Sequence, residues 1–264
     1  EIKKTIYKAL DLGVNFFDTA GAYGLGLSEE RLSKILGNRR HEVVIATKGG
    51  LSWKESSSVR SIIIKNSSPV AIRRDIESSL KRLRLDCLPI FFIHWPDNKI
   101  PIEDTFNELL KIQNEGKIKS IGCSNFSAQQ LRAACNISQV DYVQLPTNLL
   151  SGEIDSEVSN ICTKNKIKVI AYNILENGLL AGKLDKDTNF PKNDRRSRLP
   201  LFKGIEFINA LNKVEELKIK AVENNSNLLQ YSINWVLMQK NIASVIIGIK
   251  NQKQIVENCS AILN

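Results

Sequence analysis

Short apolar runs rich in β-branched and aromatic residues alternate along this chain with longer amphipathic stretches. The runs fall at residues 15–18, 43–48, 88–94, 120–124, 142–145, 168–172 and 244–249. None alternates apolar with polar positions, which is the mark of strands buried on both faces of a parallel sheet. Between them the apolar positions recur at three- and four-residue intervals. Ala71, Ile72, Ile76, Leu80 and Leu83 share one face of a helix opened by Ser68 and Pro69. Ser28 before EERLSKIL reads as a cap followed by an acidic first turn, with Gly37 as the stop. Further helices are expected at 3–12, at 102–115 ended by Gly116, at 128–134 behind Ser127, at 156–165, within 205–223, at 228–239 and at 252–262. This alternation predicts βαβ units around a parallel sheet. Seven strands is one short of a closed eight-stranded barrel, and the first helix has no strand before it. The expected fold is therefore an α/β, (β/α)₈ TIM barrel whose first strand is missing from the sequence.

One long stretch, 185–204, has little apolar periodicity and reads as an excursion from the barrel, of the kind that tends to be functional. An open doubly wound sheet is the competing architecture. Its GxGxxG fingerprint between strand and helix is absent, and Gly21, Gly24 and Gly26 do not fit that spacing. No apolar run approaches the roughly 18 residues of a membrane span. The N-terminus carries no apolar core with a cleavage site, and the five cysteines are scattered without a CxxC pair or a nearby histidine, so a cytoplasmic protein with reduced thiols and no metal is expected. The net charge of +9 is spread over helix faces, without the aromatic interleaving of a nucleic-acid surface. It would still draw in an anionic cofactor.

In a barrel, reactive groups sit where strands end on the carboxyl face. Reading those ends in order gives Asp18, Lys48, His94, Ser124 with Asn125, Gln144, Tyr172 and Lys250. Singly, each has an ordinary reading: a satisfied buried histidine, a lysine at a junction. Together with Tyr23, a few residues beyond Asp18, they supply an acid, a cation to tune it and a hydrogen-bond partner for a substrate oxygen. A tyrosine hydroxyl has an ordinary pKa near ~10, and a nearby ammonium favours its phenolate and so eases proton donation. Asp18 would keep Lys48 charged, and His94 could bond a carbonyl oxygen as charge develops there. These residues alone identify neither the electrophile nor the hydride source.

The segments FFDTAGAYG, SEERLSKIL, VVIATKGG, IRRDIESSLKRLRLD, IFFIHWPD, GKIKSIGCSNFS, YVQLPTNLL, VIAYNILENGLLAGK and SVIIGIKNQKQIVEN resemble the aldo-keto reductase superfamily, in its long-loop branch, over nearly the whole chain. The resemblance implies one NADP-dependent oxidoreductase barrel over 1–264, truncated at both ends. It implies the tetrad Asp18, Tyr23, Lys48 and His94, with hydride passing from NADPH to the carbonyl carbon of an aldehyde, ketone or sugar while Tyr23 protonates the oxygen. Ser124, Asn125 and Gln144 match positions that hold the carboxamide, and Tyr172 the aromatic that stacks on the nicotinamide. Asn173, Ile174, Leu175, Glu176 and Asn177 match the pyrophosphate stretch, Lys183 a basic phosphate contact, and Gly248, Lys250, Gln254, Glu257 and Asn258 the adenosine end. Lys250 would pair with a 2′-phosphate. Glu176 departs from the pattern by setting an acid beside the expected pyrophosphate, and Asn173 and Ile174 replace the usual small or proline residues. The implied partner is a small carbonyl compound, with neither nucleic acid nor membrane; oligomeric state is not legible. Two other readings compete: a regulatory subunit that senses NADPH, against which the intact tetrad speaks, and a barrel aldolase with Lys48 as Schiff-base nucleophile, which would leave the cofactor-like residues unexplained.

Overall fold

Strands form where the apolar runs lie, and the chain folds as two compact units, Glu1–Leu145 with Asp155–Val169, and Pro146–Ile154 with Ile170–Asn264. This computed structural model describes residues 1–54 and 62–262. The first unit runs α1 (Ile2–Asp11), β1 (Phe16–Asp18), α2 (Leu27–Leu36), β2 (Val44–Gly49), β3 (Leu51–Lys54), β4 (Ile62–Lys65), α3 (Pro69–Leu83), β5 (Leu88–Ile93), α4 (Ile102–Asn114), β6 (Ile118–Ser124), α5 (Ala128–Cys135) and β7 (Tyr142–Pro146), then α6 (Ser156–Lys164) and the start of β8 (Lys168–Tyr172). Its strands stand in the order β1-β2-β5-β6-β7, and every neighbouring pair is parallel, with Phe16 opposite Val44, Ala46 opposite Ile90, Phe92 opposite Gly122 and Cys123 opposite Val143. Phe91 and Phe92 are both fully buried although successive side chains on a strand face opposite ways, so both faces of β5 are covered. Gly122 makes room for this: a Cβ there would run into the Phe92 ring and stand 3.1 Å from the Tyr142 carbonyl oxygen.

The helices cover these strands with the faces read from the sequence. On α3, Ala71, Ile72, Ile76 and Leu83 are buried, and the Ser68 hydroxyl accepts from the Ala71 amide. Helix α4 buries Phe106, Leu109 and Ile112. Ser127 and Gln130 form a reciprocal capping box on α5. Ser28 is not a cap: α2 begins at Leu27 behind Gly26, whose φ of 97° suits glycine, and the Ser28 hydroxyl accepts from Thr19 Oγ1 at 2.9 Å. The antiparallel hairpin β3–β4, with Leu51 opposite Lys65, follows strand β2 and was not anticipated.

In the second unit β8 ends beside β9 (Ile242–Val245), and the helices are α7 (Gly204–Glu223), α8 (Leu228–Leu237) and α9 (Gln252–Ser260). The last strand stops at Val245 rather than at 249. Ile246 N still donates to Ala171 O at 2.7 Å, after which the apolar residues 246–249 leave the sheet and line a cavity. Two cores hold this unit. Phe207, Ala210, Leu211, Val214 and Leu217 of α7 pack with Leu179, Leu180, Phe202 and Leu228; Ile233 and Val236 of α8 pack with Ala171, Ile174 and Ala261. The excursion 185–204 is tethered to the first of them by Phe190, set edge-on to Phe202 at 5.4 Å and to Phe207 at 6.2 Å. No described helix is long and apolar enough to cross a membrane.

Candidate active site

Three parallel strands deliver the first acidic and basic groups to one end of the sheet. Asp18 closes β1, Lys48 is the penultimate residue of β2, and His94 follows β5, its amide bonded to Gly49 O at 3.0 Å. The Lys48 ammonium donates to Asp18 Oδ2 at 2.5 Å and to Thr19 O at 3.0 Å. It also stands 5.2 Å from the centroid of the Tyr23 ring, and that ring meets the His94 ring edge-on at 5.6 Å. The four tetrad residues are therefore one cluster within the first unit. Tyr23 is 42% exposed while the Lys48 side chain is 2% exposed, so a substrate can reach the phenol but not the lysine.

Burial pulls the Lys48 pKa down, opposed by the charges of Asp18 and Glu29. Burial also pulls His94 down to about 4, with the Lys48 charge adding to the effect, so the imidazole is neutral at physiological pH. His94 Nδ1 is buried and has no hydrogen-bond partner among the described residues. A neutral imidazole still offers one N–H to a substrate oxygen.

The residues matched to a carboxamide site brace this cluster as well as face it. Gln144 Nε2 donates to Asp18 Oδ1 at 2.7 Å, so both carboxylate oxygens of Asp18 are held, one by Lys48 and one by Gln144. Because a carboxylate only accepts, the Gln144 amide nitrogen must face it, and Oε1 is the atom left for another donor. Asn125, at φ 64°, donates from Nδ2 to His94 O at 3.2 Å and to Ser124 Oγ at 3.0 Å. Sequence reasoning missed a second layer. The fully buried carboxylate of Glu29 accepts from Thr47 Oγ1 and from Arg82 Nε, each at 2.5 Å. Arg82 in turn lies under the Tyr23 loop, where a Cβ on Gly26 would stand 2.9 Å from its Cδ. The signal available was glycine on either side of Tyr23, which fixes where a bulky side chain can pass beneath.

The second unit holds a separate cavity of about 490 Å³. Asn173, Ile174, Leu175 and Asn177 line it from the loop after β8, Gly248, Lys250, Gln254, Glu257 and Asn258 from around α9, and Lys183, Arg195 and Arg196 add cations. Lys183 is paired with Glu257 at 2.8 Å. Arg196 is forked onto Asp194 and stacks 4.3 Å over the Phe190 ring. The Gln254 side chain accepts from the Lys250 amide at 2.8 Å, and the Lys250 ammonium forms no salt bridge among the described residues. Of the cofactor-matched residues in the second unit, Tyr172 and Glu176 do not line this cavity. The Glu176 carboxylate is turned aside by the amides of Asn148, Asn173 and Asn177. Phosphate oxygens suit a wall of this composition, since ammonium and guanidinium groups are their strongest partners. Among the described residues no cluster of histidine, cysteine, aspartate and glutamate could hold a metal.

The chain matches the aldo/keto reductase family model over residues 1–264. It is 32% identical over 259 residues to the NADP(+) aldo-keto reductase yakc of Schizosaccharomyces pombe, covering 96% of this chain and 75% of that one. It is 29% identical over 267 residues to the NADH-specific methylglyoxal reductase of Escherichia coli, covering 98% and 81%. Among solved structures, the glycerol dehydrogenase of Gluconobacter oxydans superposes with a TM-score of 0.85 at 32% identity, over 99% of this chain and 84% of that one.

Proposed function

Since the chain belongs to the aldo/keto reductase family and has its TIM-barrel fold, we propose that it is an NADPH-dependent reductase of aldehyde, ketone or sugar carbonyls, with Tyr23 as the proton donor. The observation that carries this is the tetrad itself: a reachable phenol packed against a buried lysine that an aspartate keeps charged, with a neutral histidine at its edge. Lys48 favours the phenolate and so lowers the cost of moving the Tyr23 proton to the carbonyl oxygen. His94 donates a hydrogen bond to the same oxygen as its charge grows, and Asn125 fixes the backbone that carries the imidazole. The ion pair with Asp18 and the bond to Thr19 O hold Lys48 as a cation, which serves this role and not that of a Schiff-base nucleophile.

In the first unit Ser124, Asn125 and Gln144 would hold the carboxamide of the nicotinamide. Asn173, Ile174, Leu175, Asn177 and Lys183 would face the pyrophosphate, with Gly248, Lys250, Gln254, Glu257 and Asn258 at the adenosine. When bound, the reduced nicotinamide supplies the hydride. NADPH is preferred to NADH on the strength of the Lys250 ammonium, with which a 2′-phosphate would pair. The test is NADPH oxidation by the purified chain across a panel of aldehydes, ketones and sugars, followed by the loss of nicotinamide absorbance. Turnover of at least one class supports the reading. No turnover of any, with no dinucleotide bound, would sink it.

A further inference from the structure

A carboxylate stands in the loop after β8, and its partners decide what it does there. Asn148 Nδ2 donates to Glu176 Oε2 at 2.8 Å, while Asn173 Nδ2 and Asn177 Nδ2 both donate to Oε1 at 3.0 Å. Asn148 is fully buried and is itself fixed, because its Oδ1 accepts from the amides of Leu150 and Ser151, each at 2.9 Å. Asn173, Glu176 and Asn177 have φ values of 55°, 43° and 53°. Asparagine tolerates a left-handed conformation and glutamate does so less readily, so the run persists where something holds it. The carboxylate of one binds the side chains of the other two. Meanwhile Asn173, Ile174, Leu175, Asn177 and Gly178 line the cation-rich cavity and Glu176 does not.

We infer that Glu176 is a positioning residue whose carboxylate clamps this loop, with Asn148 as its outside anchor, and so preforms the wall that meets the dinucleotide phosphates. The inference rests on the dinucleotide reading of that cavity. An acid in this loop would weaken an anion site by repulsion if it faced the ligand. Here it faces three amide donors, and the ordering of the loop is complete before the ligand arrives, which removes that cost from binding.

The two ideas differ in sign. Glu176→Gln keeps the shape, and its Oε1 can still accept from Asn173 and Asn177, but its Nε2 meets Asn148 Nδ2 as donor against donor. Asn148 cannot turn over without giving up Leu150 and Ser151. Adding Asn148→Asp supplies an acceptor at that place, keeps an oxygen for both amides and restores the net charge, but gives up the bond that Asn148 Nδ2 donates to Asn173 O at 3.2 Å. NADPH and NADH are titrated against the wild type, the single and the double variant by quenching of intrinsic fluorescence. The single variant should bind both dinucleotides about tenfold more weakly, since one bond is lost and one buried N–H is stranded, and the double should recover part of that loss, its own lost bond to Asn173 O keeping it below wild type. Equal or tighter binding by the single variant, or a double no better than the single, overturns the clamp. Should the single variant not fold, the double alone decides: a double that also fails to fold counts against the clamp. A wild type that binds neither dinucleotide refutes the functional reading instead. The clamp is then read from hydrogen exchange at residues 173–178, expected faster in Glu176→Gln and slowed again in part in the double, and unchanged exchange overturns it.

Discussion

Replacing Asp18 by asparagine leaves the shape of the site and removes the anion that keeps Lys48 charged. The oxygen of the new amide can still accept from Gln144, but its nitrogen then points at the Lys48 ammonium, which in the wild type donates to Asp18 at 2.5 Å. At that separation the attraction between unit charges is about 7 kcal/mol for an effective dielectric constant near 20, a gross figure from which the burial of both groups must be subtracted. Removing one partner of a buried pair typically costs about 3–5 kcal/mol, because the other charge stays desolvated and unpaired. The protein can escape part of that cost by letting Lys48 lose its proton. The sign follows from linkage. The Lys48 pKa lies below its ordinary value in the wild type and would fall further in Asp18→Asn, so the unfolded chain binds more protons and the variant gains stability as pH rises toward the ordinary lysine range. Urea denaturation of both proteins from about pH 6 to about 9.5, followed by fluorescence, should show a stability difference of about 3–5 kcal/mol at the acid end that narrows steadily toward the alkaline end. A difference that stays constant over the whole range would show that Asp18 does not keep Lys48 protonated, and the tuning of Tyr23 would fall with it.

Lys250→Ala should weaken NADPH by about ten- to a hundredfold, the worth of a charge-assisted bond of about 1.5–3 kcal/mol, and leave NADH almost unchanged. Fluorescence titration of each cofactor checks this, and equal losses for both would reassign Lys250 to the loop alone. His94 should make the fold acid-sensitive: its pKa of about 4 lies below the ordinary 6.5, so proton uptake favours the unfolded chain and stability is lost as pH falls from 6.5 toward 4, by about 3 kcal/mol in all. Urea midpoints over that window should fall less steeply in His94→Gln than in the wild type, and parallel curves would contradict a buried neutral imidazole.

Much of this architecture is legible in the residues because burial dictates it. Both faces of β2 and β5 are covered, so their strands read as unbroken apolar runs, and the groups that end them, Lys48 and His94, stand out against that background. Ser68 and Ser127 are readable as caps because each directly precedes a periodic stretch. Ser28 misleads, since a left-handed glycine two positions earlier starts the helix and Thr19, from the loop before it, claims the hydroxyl. The strand expected at 244–249 is shorter because apolar residues that line a cavity have the same composition as those that line a sheet. Partnerships across the fold are the least legible part. Nothing in the spacing of Glu29, Thr47 and Arg82 links them, and the unfavourable look of Glu176 disappears only when Asn148, distant from it in sequence, is seen to reach its carboxylate.

The claim on which the rest depends is that Tyr23 gives its proton to a substrate oxygen beside Lys48 and His94. Tyr23→Phe removes one oxygen atom from an exposed ring and leaves the Lys48–Asp18 pair in place. Turnover of the best carbonyl substrate should be measured for both proteins at saturating NADPH, with NADPH affinity titrated on the same preparations. The rate should fall by about 10²–10⁴, the contribution of a general acid, with NADPH affinity unchanged. A variant that keeps more than about a tenth of the wild-type rate, a loss far below that range, would contradict it.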